Sequence, residues 1–198
     1  MILQQSSFID KSARVGNNVK VGHFVSVLEN VIIGDNCKLE DGARIYEGCS
    51  IDEGTVIGPN AVLRPHTKIG KHTIFGTSSV SDGDSEIGSY VTVQVLVLVA
   101  KGMSIGDNCF IGPMTTITNT KQITAGRHGM KPDIKFKLLK TIIENDVNVG
   151  SACRILPGVR IGKFSVIDMD TLVTKDIPAY SRVRGGKDKV GRIIGKTN

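Results

Sequence analysis

The chain has no tryptophan, and only 5% of its residues are aromatic. Three tyrosines and six phenylalanines are too few to interleave with the basic residues as stacking platforms, so no nucleic-acid partner is expected despite a net charge of +6. Long apolar runs are missing too. The longest, Val91 to Ala100, is broken by Thr92 and Gln94 and falls far short of the roughly 18 residues a membrane span needs. No positively charged start leads into an apolar segment, and the expectation is a cytoplasmic protein with no membrane partner. Cysteine is scarce. Cys37, Cys49, Cys109 and Cys153 all fall on one small-residue position of a repeat, where an inward thiol behaves as a small hydrophobe, so neither a disulfide nor a metal site is expected.

That repeat has a period of six. Stepping by six from Ile9 gives Val15, Val21, Val27, Ile33, Leu39, Ile45, Ile51, Ile57, Leu63, Ile69, Phe75, Ser81, Ile87, Val93, Val99, Ile105, Ile111 and Ile117, and only Ser81 breaks the apolar series. Four residues on, a second series of small or branched residues keeps its own phase, as in Ala13, Val19, Val25, Val31, Cys37 and Ala43. The rhythm returns as Ile143, Val149, Ile155, Ile161, Ile167 and Val173. The step from Ile117 to Ile143 is not a multiple of six, so residues 118–142 are an excursion out of the repeat.

A period of six fits neither a helix nor simple alternation, but it suits a short strand and a tight corner. Gly16-Asn17-Asn18, Gly34-Asp35-Asn36 and Gly106-Asp107-Asn108 each follow an inward residue, and these are residue types that tolerate sharp turns. Three units make a triangular coil, and coils stack so that each strand pairs with its equivalents above and below. The predicted fold is all-β, a parallel β-helix of about eight coils over residues 1–178, followed by a basic C-terminal tail over 179–198.

Stacking assigns the outward residues to three faces. The first runs Arg14, Ile32, Ser50, Lys68, Glu86, Ser104; the second Lys20, Lys38, Val56, Ile74, Thr92, Phe110; the third Ser26, Arg44, Val62, Val80, Leu98, Thr116. The second and third are apolar in their middle and later coils and meet at a corner bearing Val95-Leu96 and Pro113-Met114, an edge that calls for a partner. Cyclic self-association is the simplest solution.

With this period held in phase, the chain resembles the hexapeptide-repeat acyltransferases over residues 9–117 and 143–178. The resemblance implies a left-handed coil, against the usual right-handed crossover, and a homotrimer. Residues 149–162, Val-Gly-Ser-Ala-Cys-Arg-Ile-Leu-Pro-Gly-Val-Arg-Ile-Gly, and 173–178, Val-Thr-Lys-Asp-Ile-Pro, resemble the family's late-coil run. That similarity implies acetyl-CoA as co-substrate, with Ser151 and Ala152 at the thioester end of its channel and Thr174 and Lys175 towards the nucleotide; Arg182 is assigned to the phosphates with Lys175. Two departures from the family pattern are Asp168-Met169-Asp170-Thr171 and Gly186-Lys187-Asp188-Lys189, which bear on the fit of the pantetheine arm and of the nucleotide.

The excursion carries Lys121, Arg127, Lys131, Lys135, Lys137 and Lys140 against Asp133 alone, a balance that attracts anions. Acyl transfer needs a general base, and histidine is the natural one. Of His23, His66, His72 and His128, only His128, in Gly126-Arg127-His128-Gly129, lies in the excursion. The reading is therefore an acetyltransferase acting on a hydroxyl or amine of a sugar, with a nucleotide-linked amino sugar among the candidate acceptors, His128 as base and Asn119 and Arg127 orienting the acceptor. Two alternatives stand beside it. A non-catalytic trimeric scaffold needs no active site. A γ-class carbonic anhydrase would need three histidines in register, which this spacing does not supply.

Overall fold

Two residues of each repeat form a strand and four form a corner, so the chain turns a triangular prism. The computed structural model describes residues 2–3, 6–121, 137–186 and 189–197. Within them, strand pairs such as Arg14-Val15, Lys20-Val21 and Ser26-Val27 recur every six residues and each pairs in parallel with its equivalent one coil on. The fold is a left-handed parallel β-helix. The first face has eight strands, the second eleven and the third nine. There are about nine turns, one more than the repeat count suggests. The difference lies at the ends: Ile2-Leu3 pairs below Lys20-Val21, and Ser181–Gly185 pairs above Val166-Ile167, where the six-residue signature has faded.

The inward residue of each strand fills the prism. Ile33, Leu39, Ile45, Ile51, Ile57, Leu63, Ile111, Ile117, Ile143 and Ile155 are all essentially inaccessible to water. Ser81, the one polar member of the series, is accommodated twice over. Its hydroxyl pairs with Thr67 Oγ1 at 2.9 Å, and the same coil carries Phe75, whose ring supplies the bulk that serine lacks. All four cysteines are buried and free.

Corner side chains cap the backbone of the coil below. Asp35 Oδ1 accepts from Asn17 N–H at 2.6 Å, Asp41 Oδ1 from His23 N–H at 2.8 Å, and Asp107 Oδ1 from Ser89 N–H at 2.7 Å. These capped N–H groups explain why Asp recurs at the corner position two residues after the inward one.

Past Pro178 the chain forms an antiparallel hairpin, Ser181–Gly185 with Gly191–Lys196, laid on the last coil. Asp168 fastens it. Its Oδ1 accepts from Arg182 Nε at 3.3 Å and its Oδ2 from Arg184 Nε at 2.7 Å, while Asp170 takes Lys189 at 2.7 Å and Arg154 at 3.6 Å. The two unusual carboxylates of 168–171 are thus partnered by cations of the hairpin and of the coil below.

Candidate functional site

The excursion leaves and rejoins the prism through a closed neck on the corner between the third and first faces. Thr118 N–H and Oγ1–H both reach Ile155 O, each at 3.1 Å. Leu139 N–H donates to Asn119 O at 2.7 Å, so the two strands of the neck are bonded to each other. Asn119 Nδ2 donates to Lys101 O one coil below at 3.2 Å. Thr141, buried, donates through Oγ1 to Leu156 O at 3.3 Å and accepts from Gly158 N–H at 3.1 Å. Gly158 has φ +80° and lies so close to Leu139 that an added Cβ would meet the leucine Cβ at 3.3 Å, which makes glycine the residue that lets the neck pack down.

Beside the neck, the third face continues upward as Thr116, Arg154 and Leu172, paired in register. The far margin of that face is the corner carrying Ser151 and Ala152. Here the backbone is tight: a Cβ on Gly112 would come within 2.6 Å of both the Gly150 carbonyl carbon and Ser151 N. Ala152 sits at φ 58° and donates its N–H to Pro113 O. Ser151 N–H has no acceptor among the described residues. Met169 occupies the position above it that an aspartate fills at the corners of Asn17, His23 and Ser89, and a thioether cannot take its place.

The residues singled out from the sequence fall into three groups. Asn119, Thr174 and Lys175 share the third–first corner; Ser151 and Ala152 share the second–third corner; Arg182 lies on the second face. His128 and Arg127 lie outside the described residues. Lys175 is exposed and makes no ion pair among the described residues, whereas Arg182 is held by Asp168. Arg154 was not singled out, yet it lies midway between the first two groups; carrying the outward series of the third face past the excursion leads from Thr116 to it.

His23, His66 and His72 stand on three different corners, and among the described residues no three His, Cys, Asp or Glu side chains form a group that could hold a metal. Burial pushes the thiols of Cys49 and Cys109 up to about 11. At neutral pH they are protonated members of the core and not nucleophiles.

The second–third corner is apolar and strained together. Phe24, Leu96 and Met114 adopt left-handed backbone at φ 57–58°, a conformation that bulky residues avoid, and 56–70% of each is exposed. Ile74 and Phe110 on the second face and Leu98 on the third extend the same surface.

A model of the bacterial transferase hexapeptide, in six repeats, matches residues 12–47 and 48–80, and one for the hexapeptide repeat of succinyl-transferase matches 102–117 and 140–175. A galactoside O-acetyltransferase of Lactococcus lactis is 35% identical over 95 residues, which are 46% of this chain and 43% of that protein. The Escherichia coli galactoside O-acetyltransferase is 34% identical over 105 residues, 53% of this chain and 51% of its own length. The chain thus spans about half the length of these relatives. Among solved structures, the UDP-N-acetylglucosamine acyltransferase of Bacteroides fragilis superposes with a TM-score of 0.80 at 21% identity, covering 98% of this chain and 74% of that one, a likeness of fold. The matched repeats lie on both sides of the excursion and coincide with the observed coils, and on that ground the chain belongs to the hexapeptide-repeat transferase family.

Proposed function

We propose that the protein transfers an acetyl group from acetyl-CoA to a hydroxyl or amine of a sugar, at a site built on the upper third face. The observation that carries this reading is the hydrogen-bonded neck, which fixes both ends of a cationic excursion beside a face bearing Arg154 and, across it, an uncapped backbone N–H at Ser151. The similarity in sequence to galactoside O-acetyltransferases supports a sugar as acceptor. A nucleotide-linked amino sugar is the acceptor whose diphosphate would best use the cations of residues 121–140.

In this reaction His128 takes the proton of the acceptor as its oxygen or nitrogen attacks the thioester carbonyl. A carbon–oxygen or carbon–nitrogen bond forms, and Ser151 N–H donates to the oxyanion. On collapse the carbon–sulfur bond breaks, and the departing thiolate takes the proton back from His128. Asn119, its amide nitrogen tied to Lys101 O, offers Oδ1 to the acceptor, and Arg127 orients it from the same excursion. Lys175 faces the coenzyme phosphates with no competing carboxylate among the described residues. Arg182 and Arg184 share the single charge of Asp168, which leaves one positive charge to act on the same anion.

One chain separates these groups onto different faces; three chains bring them together. Packing three copies about the strained apolar corner sets the second face of one, with Arg182, opposite the third face of the next, with Arg154, Lys175 and the neck. The trimer would cover Phe24, Leu96 and Met114 and would form three clefts.

Steady-state thiol release from acetyl-CoA with a panel of galactosides and nucleotide-linked amino sugars tests the reading. His128→Gln should lower kcat by roughly 10²–10⁴-fold with little change in coenzyme affinity. Undiminished turnover with every acceptor would remove His128 from the mechanism.

A further inference from the structure

The corner between the first and second faces carries aromatic residues that the proposed chemistry does not use. Its left-handed position reads, coil by coil, His72, Tyr90, Asn108, Asp146, Phe164 and Tyr180, each with φ between 51° and 59°. The order is fixed by the backbone: Tyr90 N–H donates to Lys71 O, Asn108 N–H to Ser89 O, Asp146 N–H to Asp107 O, Phe164 N–H to Asn145 O and Tyr180 N–H to Lys163 O. His72 and Tyr90 stack with centroids 5.3 Å apart, and Phe164 and Tyr180 stack at 5.1 Å. Tyr90 is nevertheless 60% exposed and Phe164 40%.

These two stacks face each other along the column across Asn108 and Asp146. Three coil steps separate Tyr90 from Phe164, about 14 Å at the usual strand spacing of about 4.8 Å. The floor between them is polar and unengaged: neither the Asn108 nor the Asp146 side chain makes a hydrogen bond or ion pair among the described residues. Beside the floor, on the first-face side, lies a depression of about 370 Å³ lined by Ile142 and Ile143 together with Ser104, Gly106, Glu144, Asn145, Arg160 and Lys163. Glu144 is fixed there, accepting from Lys163 N–H at 2.8 Å and Arg160 Nε at 2.7 Å.

Asparagine or glycine would hold these corners at lower backbone cost, as Asn18, Asn36 and Gly54 do lower in the same column. The first–second corner is also not the edge on which the copies are proposed to meet, so self-association does not account for its exposed rings. We infer that this notch binds a sugar chain, with the flat apolar faces of its rings against Tyr90 and Phe164 and its hydroxyls on Asn108 and Asp146. A ligand with both apolar faces and a rim of hydroxyls matches aromatic ends over a polar floor. In the trimer this corner is the outer lip of the cleft, at the level of the neck. An acceptor that carries further sugar units would then place its terminal unit at the transfer site while a neighbouring unit rests in the notch. Only the link to turnover rests on the acetyltransferase reading; the binding does not.

Isothermal titration of the whole chain tests it, with chitotetraose, maltotetraose and a galacto-tetraose as probes and with their monosaccharides and UMP as comparators. At least one tetrasaccharide should bind more tightly than its monosaccharide. Tyr90→Asn and Phe164→Asn should each raise that Kd by roughly 2- to 10-fold. Because asparagine suits the left-handed corner, both variants should keep the wild-type Tm, so the loss belongs to the ring and not to the fold. In turnover, the same variants should raise KM for the tetrasaccharide and leave monosaccharide kinetics unchanged. A binding tetrasaccharide indifferent to both substitutions, no tetrasaccharide binding, or tighter ring-dependent binding of UMP would each overturn the sugar notch. Acetyl transfer that fails while ring-dependent binding persists would count against the catalytic reading alone.

Discussion

Leu96→Asn separates the cost of a strained corner from the reason for bearing it. Leu96 holds φ 57° with 57% of its surface exposed, so the isolated chain bears a left-handed bulky residue and gains little from its side chain. Asparagine relieves up to about 1 kcal/mol of that backbone cost, so the monomer should be unchanged or more stable. The assembly should respond in the opposite sense. Burying the exposed half of a leucine stabilises by about 1–1.5 kcal/mol, and the proposed trimer would do so at three equivalent corners, which gives about 3–4.5 kcal/mol. That corresponds to roughly 10²–10³ in the trimer dissociation constant. Sedimentation across a concentration series reads the assembly, and urea unfolding at a dilution where both proteins are monomeric reads the chain. Assembly unaltered by Leu96→Asn would refute the argument, as would a monomer destabilised by it.

Three further outcomes follow from named groups. Lys175→Ala should raise the Kd for acetyl-CoA with the fold intact, and wild-type binding should weaken as salt rises; equal constants by titration would place the phosphates elsewhere. The Lys163 N–H and the Arg160 guanidinium hold the Glu144 carboxyl below its usual range. Its contribution is therefore present above the unfolded value of about 4.3 and lost as pH falls through the folded one, so the acid limb of a pH–stability curve should be shallower in Glu144→Gln. Cys49 and Cys109 act in the alkaline range: unfolded thiols ionise first, so stability should decline between about pH 9, the ordinary value, and about pH 11, and the native thiols should resist a disulfide reagent at pH 8 until denaturant is added. Rapid modification of all four in the native protein would contradict their burial.

Most of the fold was legible because a six-residue unit leaves little freedom. The inward series named the core, the outward series sorted residues onto the correct faces, and the break after Ile117 located the excursion. The ends were harder to read. Ile2-Leu3 and the hairpin at Ser181–Gly185 lack the glycine and small-residue spacing, so their pairing depends on neighbours and not on local pattern. The site was legible only in part. Asp168 and Asp170 read as misplaced carboxylates, since Arg182, Arg184 and Lys189 come from a hairpin whose return over the last coil no periodicity announces. The 18-residue step places Met169 above Ser151, but that the side chain there caps the N–H below is seen only at the observed corners of Asn17, His23 and Ser89.

The proposed reaction moves an acetyl group from acetyl-CoA to a sugar. Mass spectrometry of the acceptor panel after incubation with enzyme and acetyl-CoA tests it most directly, read alongside free thiol. An acceptor should gain one acetyl group for each coenzyme thiol released, with the signal lost in His128→Gln. Thiol released at the rate of the acceptor-free control, with every sugar recovered at its original mass, would contradict it.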